Sequence, residues 1–289
     1  MTAQSEKIVL ADEGVFPIIY DDKGNLLKDL PATGLQTPGT IQGEGILIGM
    51  PSLFVRLASC NLRCIWNLPD GSITKCDTPY ASFDTKNVQN VTTDYVFNII
   101  KNNIGNMNHI VITGGEPFVQ KKSLKTLAKS IKDNLNLHIT VETNGTIFDE
   151  DAAKYIDLFS ISPKLKNSTP NKDKLEKLGL SMSGPIKNHG AKRYNIKALQ
   201  QFVDFCNKTN KEFQLKFVVG SNADEDEIIQ DYYNQLKNIK PHNIMLMPLG
   251  ANKDELAKTT DLTVAMAVRN GWRFTSRIHI DLFGAKKGV

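Results

Sequence analysis

Cys60-Asn61-Leu62-Arg63-Cys64-Ile65-Trp66 and the later run Cys76-Asp77-Thr78-Pro79-Tyr80 place three of the four cysteines within 17 residues. Three thiolates on one loop can hold three irons of a [4Fe–4S] cube and leave the fourth iron open to a further ligand. A structural zinc site takes four Cys or His ligands, commonly as two short pairs. No Cys-x-x-Cys pair exists here, and the nearest histidine in sequence is His109. Disulfides would leave one of the three clustered cysteines unpaired. The iron–sulfur reading is therefore preferred, and zinc held by Cys60, Cys64, Cys76 and one histidine, in a non-catalytic module, is the competing one.

Between Cys64 and Cys76 lie eleven residues carrying Pro69-Asp70-Gly71, a turn signature. The stretch 67–75 is expected to be a surface excursion whose ends return to each other, since closure entropy grows only with the logarithm of loop length. On that view, trimming it so that Ile65-Trp66 directly precedes Cys76 should spare metal binding. Cys206 differs from the other three. Ile196, Leu199, Phe202, Val203 and Cys206 recur at three- and four-residue steps, which marks the apolar face of a helix. Cysteine behaves there as a small hydrophobe.

Residues 1–30 read as an N-terminal β-ribbon built from Ile8-Val9-Leu10 and Phe16–Tyr20, turning at Asp21–Asn25. Strands are expected over 53–58, 109–113, 137–142, 158–162, 214–219 and 243–247, with a final extended segment over 273–282. Helices are expected over 92–103 with Thr92 or Thr93 as N-cap, 121–134, 196–208, 224–239 capped by Asp224, and 253–270. The polar stretch 164–193 is expected to be a long loop with a short helix. Repeated strand–helix units argue for an α/β fold with a mainly parallel sheet and right-handed crossovers. About six units fall short of a closed eightfold barrel, so a partial (β/α)6-type barrel fits. The N-terminal extension is placed at 1–34 and the core domain at 35–289.

In such folds ligands gather at the carboxyl ends of strands, and every distinctive motif sits there. The cysteine loop follows the 53–58 strand. Thr113-Gly114-Gly115-Glu116-Pro117, Glu142-Thr143-Asn144-Gly145, Ser162-Pro163-Lys164 and Pro248-Leu249-Gly250 close the later ones. Singly, each Gly-Gly or Asn-Gly pair is ordinary turn chemistry, and their joint placement on one rim is the signal. Gly114 and Gly115 would let backbone amides approach a ligand. Ser162 and Lys164 suit ribose or carboxylate. Arg56, on an otherwise apolar strand, is either satisfied structurally or faces the barrel mouth to bind an anion. Strand alternation would put Arg277, His279 and Asp281 on one face.

The chain has 289 residues, 40% of them hydrophobic, enough for a full core. A net charge of +4, with lysines spread along the chain, gives little support to nucleic-acid binding. No apolar run approaches the ~18–20 residues of a bilayer span, and no signal-peptide pattern precedes the cysteines. A reduced, cytoplasmic setting is expected.

The cysteine loop together with Gly114-Gly115-Glu116-Pro117 resembles the radical S-adenosylmethionine (SAM) superfamily, whose usual spacing is Cys-x-x-x-Cys-x-x-Cys. From about residue 35 onward the resemblance narrows to the 7-carboxy-7-deazaguanine synthase family. It is carried by Thr40-Ile41-Gln42-Gly43-Glu44-Gly45, Gly49-Met50-Pro51, Phe54–Leu57, Cys76–Tyr80, Glu142–Gly145, Ser162–Lys164 and Arg277-Ile278-His279. Ile-Gln-Gly-Glu-Gly is the most discriminating of these.

The resemblance implies a lyase that turns 6-carboxy-5,6,7,8-tetrahydropterin into 7-carboxy-7-deazaguanine with loss of ammonia. The reaction starts with hydrogen abstraction by a 5′-deoxyadenosyl radical, leads through ring contraction, and serves queuosine and other 7-deazapurine pathways. A [4Fe–4S] cluster on Cys60, Cys64 and Cys76, reusable SAM, and Mg²⁺ on Thr78 are implied with it. Lys75, Cys76, Asp77, Gly114, Gly115, Glu116, Asn144, Ser162, Pro163, Lys164 and Pro248 would contact SAM. Ile41, Gln42, Gly43, Glu44, Arg56, Thr113, His279 and the carboxylate on Val289 would contact the pterin. A flavodoxin- or ferredoxin-type electron donor and a homodimer are implied as well. An activating enzyme of the same superfamily acting on a protein partner is the second reading, and it leaves Ile-Gln-Gly-Glu-Gly without a role.

Overall fold

The computed structural model describes residues 5–289, and in it one ten-stranded sheet, with a separate two-stranded hairpin, organises the chain. The strands are β1 Lys7–Phe16, β2 Thr40–Ile41, β3 Pro51–Leu57, β4 Ile65–Asn67, β5 Ile73–Lys75, β6 Gln89–Thr92, β7 His109–Gly114, β8 His138–Thr143, β9 Leu158–Ile161, β10 Glu212–Val219, β11 Ile244–Pro248 and β12 Arg273–Phe274. The ten-stranded sheet runs β12-β11-β10-β9-β8-β7-β3-β1-β6, with β2 paired to β3. From β3 to β12 every neighbouring pair is parallel. Six successive crossovers link those strands, as expected for a partial barrel, and the sheet stays open, with β12 and β6 at its two edges.

Alternation divides the sheet's two faces. Ile110, Ile112, Ile139, Val141, Phe159, Leu215 and Phe217 pack with Leu124, Leu127, Ile131, Phe202 and Val203 of the covering helices in the main core. Each such side chain contributes ~1.5–3 kcal/mol by leaving water. The opposite face carries polar side chains in register: Arg56 beside Thr113, and Ser160 beside both Glu142 and Gln214. That face becomes the barrel interior. Cys206 is fully buried in the main core.

Helix boundaries follow local chemistry. Thr92 Oγ1 accepts the Tyr95 N–H to start the helix Thr93–Asn103, and Asn195 caps Ile196–Thr209 by accepting from Ala198. Lys121–Leu135 and Ile196–Thr209 both end on asparagines in the left-handed region, Asn136 and Asn210, where asparagine is tolerated.

Several expectations are corrected. Residues 7–16 form no separate ribbon: β1 lies inside the main sheet, antiparallel to both β3 and β6, because Ile8, Leu10 and Val15 must be buried. A single bridge, Tyr20 to Leu26, is what the turn at 21–25 joins; residues 1–4 lie outside the described residues. Asp224 does not cap its helix. Its Oδ2 instead accepts from the N–H groups of Gly220 and Ser221 and from Asn167, and Ala223–Glu227 runs on into a π turn over Ile228–Tyr233. The 253–270 helix is two, Lys253–Ala257 and Thr260–Asn270, with the Thr259 hydroxyl drawn to Leu249 O between them. Beyond Phe274 the extended segment gives way to a helix, Ile278–Phe283. The strand alternation expected for Arg277, His279 and Asp281 is therefore absent. Among the described residues no helix is long and apolar enough to cross a membrane.

Candidate active site

The 67–75 excursion is a β-hairpin. β4 and β5 pair from Ile65↔Lys75 to Asn67↔Ile73, and the Cys76 N–H donates to Cys64 O at 3.1 Å, so the ends do return. Its tip is exposed, but Trp66 and Leu68 are buried. With Leu62, Cys64 and Leu249 they form an apolar cluster against which Cys60 and Cys76 pack. The three predicted cysteines thus converge, in an apolar shell of the kind that tunes iron–sulfur centres.

The backbone of the loop is held from outside. Ser59 adopts the left-handed region (φ 76°), and its carbonyl accepts from Glu116 N while Leu57 O accepts from Gly115 N. A Cβ at Gly114 or Gly115 would overlap the backbone of Leu57 or Ser59. These glycines serve the close approach of two chain segments. The Gly115 N–H is thereby taken by Leu57 O and is not left for a ligand. Glu116 is fully buried, accepting from Phe118 N, Thr143 Oγ1 and Asn144 N. It and Pro163 do not line the cavity; Glu116 braces from behind. Asn144 in turn donates to Asn61 Oδ1 at 2.9 Å, and His189 Nδ1 accepts the Arg63 N–H.

Every other predicted site residue lines one cavity of about 460 Å³ at the carboxyl ends of the strands. At one end are Cys60, Cys64, Cys76, Lys75, Asp77 and Thr78, then Gly114, Gly115, Asn144, Ser162, Lys164 and Pro248. At the other are Ile41, Gln42, Gly43, Glu44, Arg56, Thr113, His279 and Val289. Lys164 Nζ donates to Ser162 Oγ at 2.7 Å, so hydroxyl and cation act as one polar corner. The Thr78 hydroxyl makes no capping bond to the short helix it precedes and stands 3.4 Å from Cys76 Sγ.

At the deeper end, Glu142 accepts from Gln42 Nε2 at 3.2 Å and from Thr113 Oγ1 at 2.7 Å. Arg56 stacks on Phe16, 4.9 Å from the ring centre, with Glu13 at 3.7 Å; its buried Nε has no hydrogen-bond partner. Lys216 reaches Glu44 at 3.2 Å, and Arg277 bonds Asp77 and Gly250 O beside the same Glu44. Burial alone would raise the Glu44 carboxyl, but Lys216 and Arg277 outweigh it and hold it below its ordinary value. Asp77 is likewise drawn down to about 2 against burial, by Arg277 and then Arg56. A Cβ at Gly43 would overlap the His279 ring, so only glycine lets the two segments meet there. Burial lowers His279 from its ordinary value. The last residues, 284–289, line the mouth, and Lys287 Nζ lies 4.2 Å from the Tyr80 ring centre.

Lys216 is not expected at the site from the sequence, whereas Glu142 and Arg277 are expected there only as parts of a rim motif and of a polar strand face. The signal for Lys216 was present, because Gln214 and Lys216 alternate within Phe213–Val219 and so share one face of a buried strand.

The donor set fits an iron–sulfur cluster better than one zinc ion. Among the described residues no group of three or more His, Cys, Asp or Glu side chains is arranged to hold a single metal ion. His189, the histidine that touches the loop, has both ring nitrogens engaged, with Arg63 N and Ser168 Oγ. Burial pushes the Cys60 thiol up to about 12, with Glu116 adding to it, and raises Cys64 and Cys76. The positive charge of a bound metal centre would make thiolates of them here.

Residues 57–183 match the Radical SAM superfamily. A relative from Rhodopirellula baltica named 7-carboxy-7-deazaguanine synthase is 34% identical over 248 residues, covering 86% of this chain and 85% of its own. One of the same name from Halobacterium salinarum is 32% identical, covering 84% and 87%. The crystal structure of QueE from Escherichia coli shares the fold with a TM-score of 0.51 at 22% identity, over 82% of this chain and 90% of that one. With this likeness spanning both the cysteine loop and the polar interior, the chain belongs to the 7-carboxy-7-deazaguanine synthase family.

Proposed function

We propose that this chain is a radical SAM lyase converting 6-carboxy-5,6,7,8-tetrahydropterin into 7-carboxy-7-deazaguanine with loss of ammonia. The observation that supports it most is the sharing of one cavity by three cysteines and by the charged and amide side chains of the 41–44 segment and the barrel interior. Cys60, Cys64 and Cys76 would hold the [4Fe–4S] cluster, and Asn144, Ser162, Lys164 and Pro248 the SAM. Together, when bound, these groups supply the one-electron start that a ring contraction needs.

The chain's own residues bind and orient. Arg56 meets the pterin carboxylate with a planar pair of donors. Glu44, kept ionised by Lys216 and Arg277, accepts N–H groups of the pyrimidine edge. Gln42 is clamped at both ends, Nε2 on Glu142 and Oε1 on the Glu44 N–H, so little freedom is lost when it pairs with the ring. Thr113 donates its hydroxyl hydrogen bond to Glu142 and keeps its oxygen as an acceptor. His279, held neutral by burial, brings one donor and one acceptor. The 284–289 segment at the mouth limits water.

Mg²⁺ on the Thr78 hydroxyl, whose one side-chain partner is Cys76 Sγ, belongs to the same proposal, with waters and substrate oxygens completing the shell. So do a homodimer, reduction by a flavodoxin- or ferredoxin-type protein, and a cytoplasmic location suited to an oxygen-sensitive cluster. Anaerobic incubation of the reconstituted protein with the carboxytetrahydropterin, SAM, Mg²⁺ and dithionite, followed by mass spectrometry, tests the reading. 7-carboxy-7-deazaguanine is the expected product, and unchanged pterin with a fully loaded cluster would refute it.

A further inference from the structure

Lys174 lies on the helix Lys172–Lys177, one of four short helical segments in the stretch 164–193, where the sequence suggested a long polar loop with a single short helix. Its side chain is nonetheless buried, with 3% exposure. Its ammonium donates to Ile65 O at 2.7 Å, Asn167 O at 2.7 Å and Thr169 O at 3.0 Å. An ammonium has three donors, so all are satisfied. Its charge is not. On the same helix Lys172 and Lys177 pair with Glu176 and Asp173 at the surface, whereas Lys174 has only neutral carbonyls around its ammonium.

A buried cation without a counter-charge costs several kcal/mol, and three neutral acceptors only partly offset that. The acceptor Ile65 directly follows Cys64, whose own carbonyl receives the Cys76 N–H. The ammonium is thus bolted to the backbone that carries two of the three clustered thiols. Burial lowers Lys174 from its ordinary value, and a charge on Cys64 opposes that shift. Net charge and nearby hydrogen bonding set the potential of a thiolate-bound cluster, and a fixed cation in a low-dielectric pocket favours an added electron.

We propose that Lys174 is the buried counter-cation of the iron–sulfur cluster, offsetting the negative charge of its thiolate ligands and easing its reduction. The proposal rests on the cluster reading above. If the wild-type protein assembles no [4Fe–4S] cluster, that reading fails first and separately.

The test compares Lys174→Met, Lys174→Gln and Lys174→Arg with wild type after anaerobic reconstitution. Iron and sulfide content, circular dichroism and the cluster's midpoint potential are measured. Both neutral variants are expected to fold and either to hold iron with a midpoint moved to more negative potential or to lose iron that Lys174→Arg retains. A tenfold drop in the reduced-to-oxidised ratio at fixed potential corresponds to a shift of ~59 mV for one electron. Lys174→Arg should stay close to wild type. Unchanged midpoints in the neutral variants would overturn the proposal. So would equal loss of iron in Lys174→Arg, which would make Lys174 a steric clamp. Failure of the neutral variants to fold in the cluster-free state, where wild type folds, would overturn it too, because the chain and not the cluster would then need the charge.

Discussion

Three thiols gathered among Leu62, Trp66, Leu68 and Leu249 are protonated at neutral pH until a metal's charge reverses the effect of burial. Cys60→Ala, Cys64→Ala and Cys76→Ala should each abolish cluster binding, while Cys206→Ala should keep it, since Cys206 lies in the main core. Iron and sulfide analysis of the four reconstituted proteins checks this, and iron loss in Cys206→Ala alone would contradict it. Thr78 offers a second test at this scale, since its hydroxyl is neither a cap nor fully committed. Thr78→Ala should need about tenfold more Mg²⁺ for half-maximal turnover with SAM binding unchanged. Superimposable magnesium curves would take Thr78 out of the site.

Among the elements, the β4–β5 hairpin departs most from what the sequence suggested. Pro69-Asp70-Gly71 correctly marked its turn, and the logarithmic cost of loop length correctly allowed the insertion. Neither shows that Trp66, Leu68 and Thr74 are buried or that Ile65 packs on Leu175 and Ile186, because those partners come from distant residues. Replacing the tip 69–72 with Asn-Gly should leave iron content unchanged. Leu68→Ala should cost ~2 kcal/mol and lower iron retention, and removal of 67–75 should abolish it. Full iron content after that removal would restore the dispensable-excursion reading. His189 supports the same loop from the other side, accepting the Arg63 N–H. Burial, then Arg193 and Lys164, lower it to about 4 from an ordinary 6.5. The unfolded chain therefore takes up the proton first as pH falls, so the stabilisation present above pH 6.5 is lost between 6.5 and 4, on the order of 3 kcal/mol. Melting of the cluster-free protein across this range should show the loss. His189→Asn, which keeps an acceptor but does not titrate, should reduce the slope, and an unaltered slope would contradict the assignment.

Over the whole molecule, periodicity alone located the parallel strands from β3 to β11, because each couples an apolar alternation to a following amphipathic helix. The placement of every motif at a strand's carboxyl end then implied the shared cavity, which the structure contains. What stayed hidden were non-local facts. β1 is recruited into the sheet between β3 and β6, the segment after Phe274 turns helical to bring His279 against Gly43, and Lys216 and Arg277 converge on Glu44. None of these has a local signature beyond one polar residue in an apolar run. In the proposed reaction SAM and a small pterin meet in this cavity, and SAM is restored after each cycle. The most direct test is the ratio of 7-carboxy-7-deazaguanine formed to SAM consumed, measured anaerobically with limiting SAM and excess pterin. Many products per SAM lost are expected, in the absence of any protein substrate. One SAM lost per product, or SAM consumption that appears only when a partner protein is added, would contradict it.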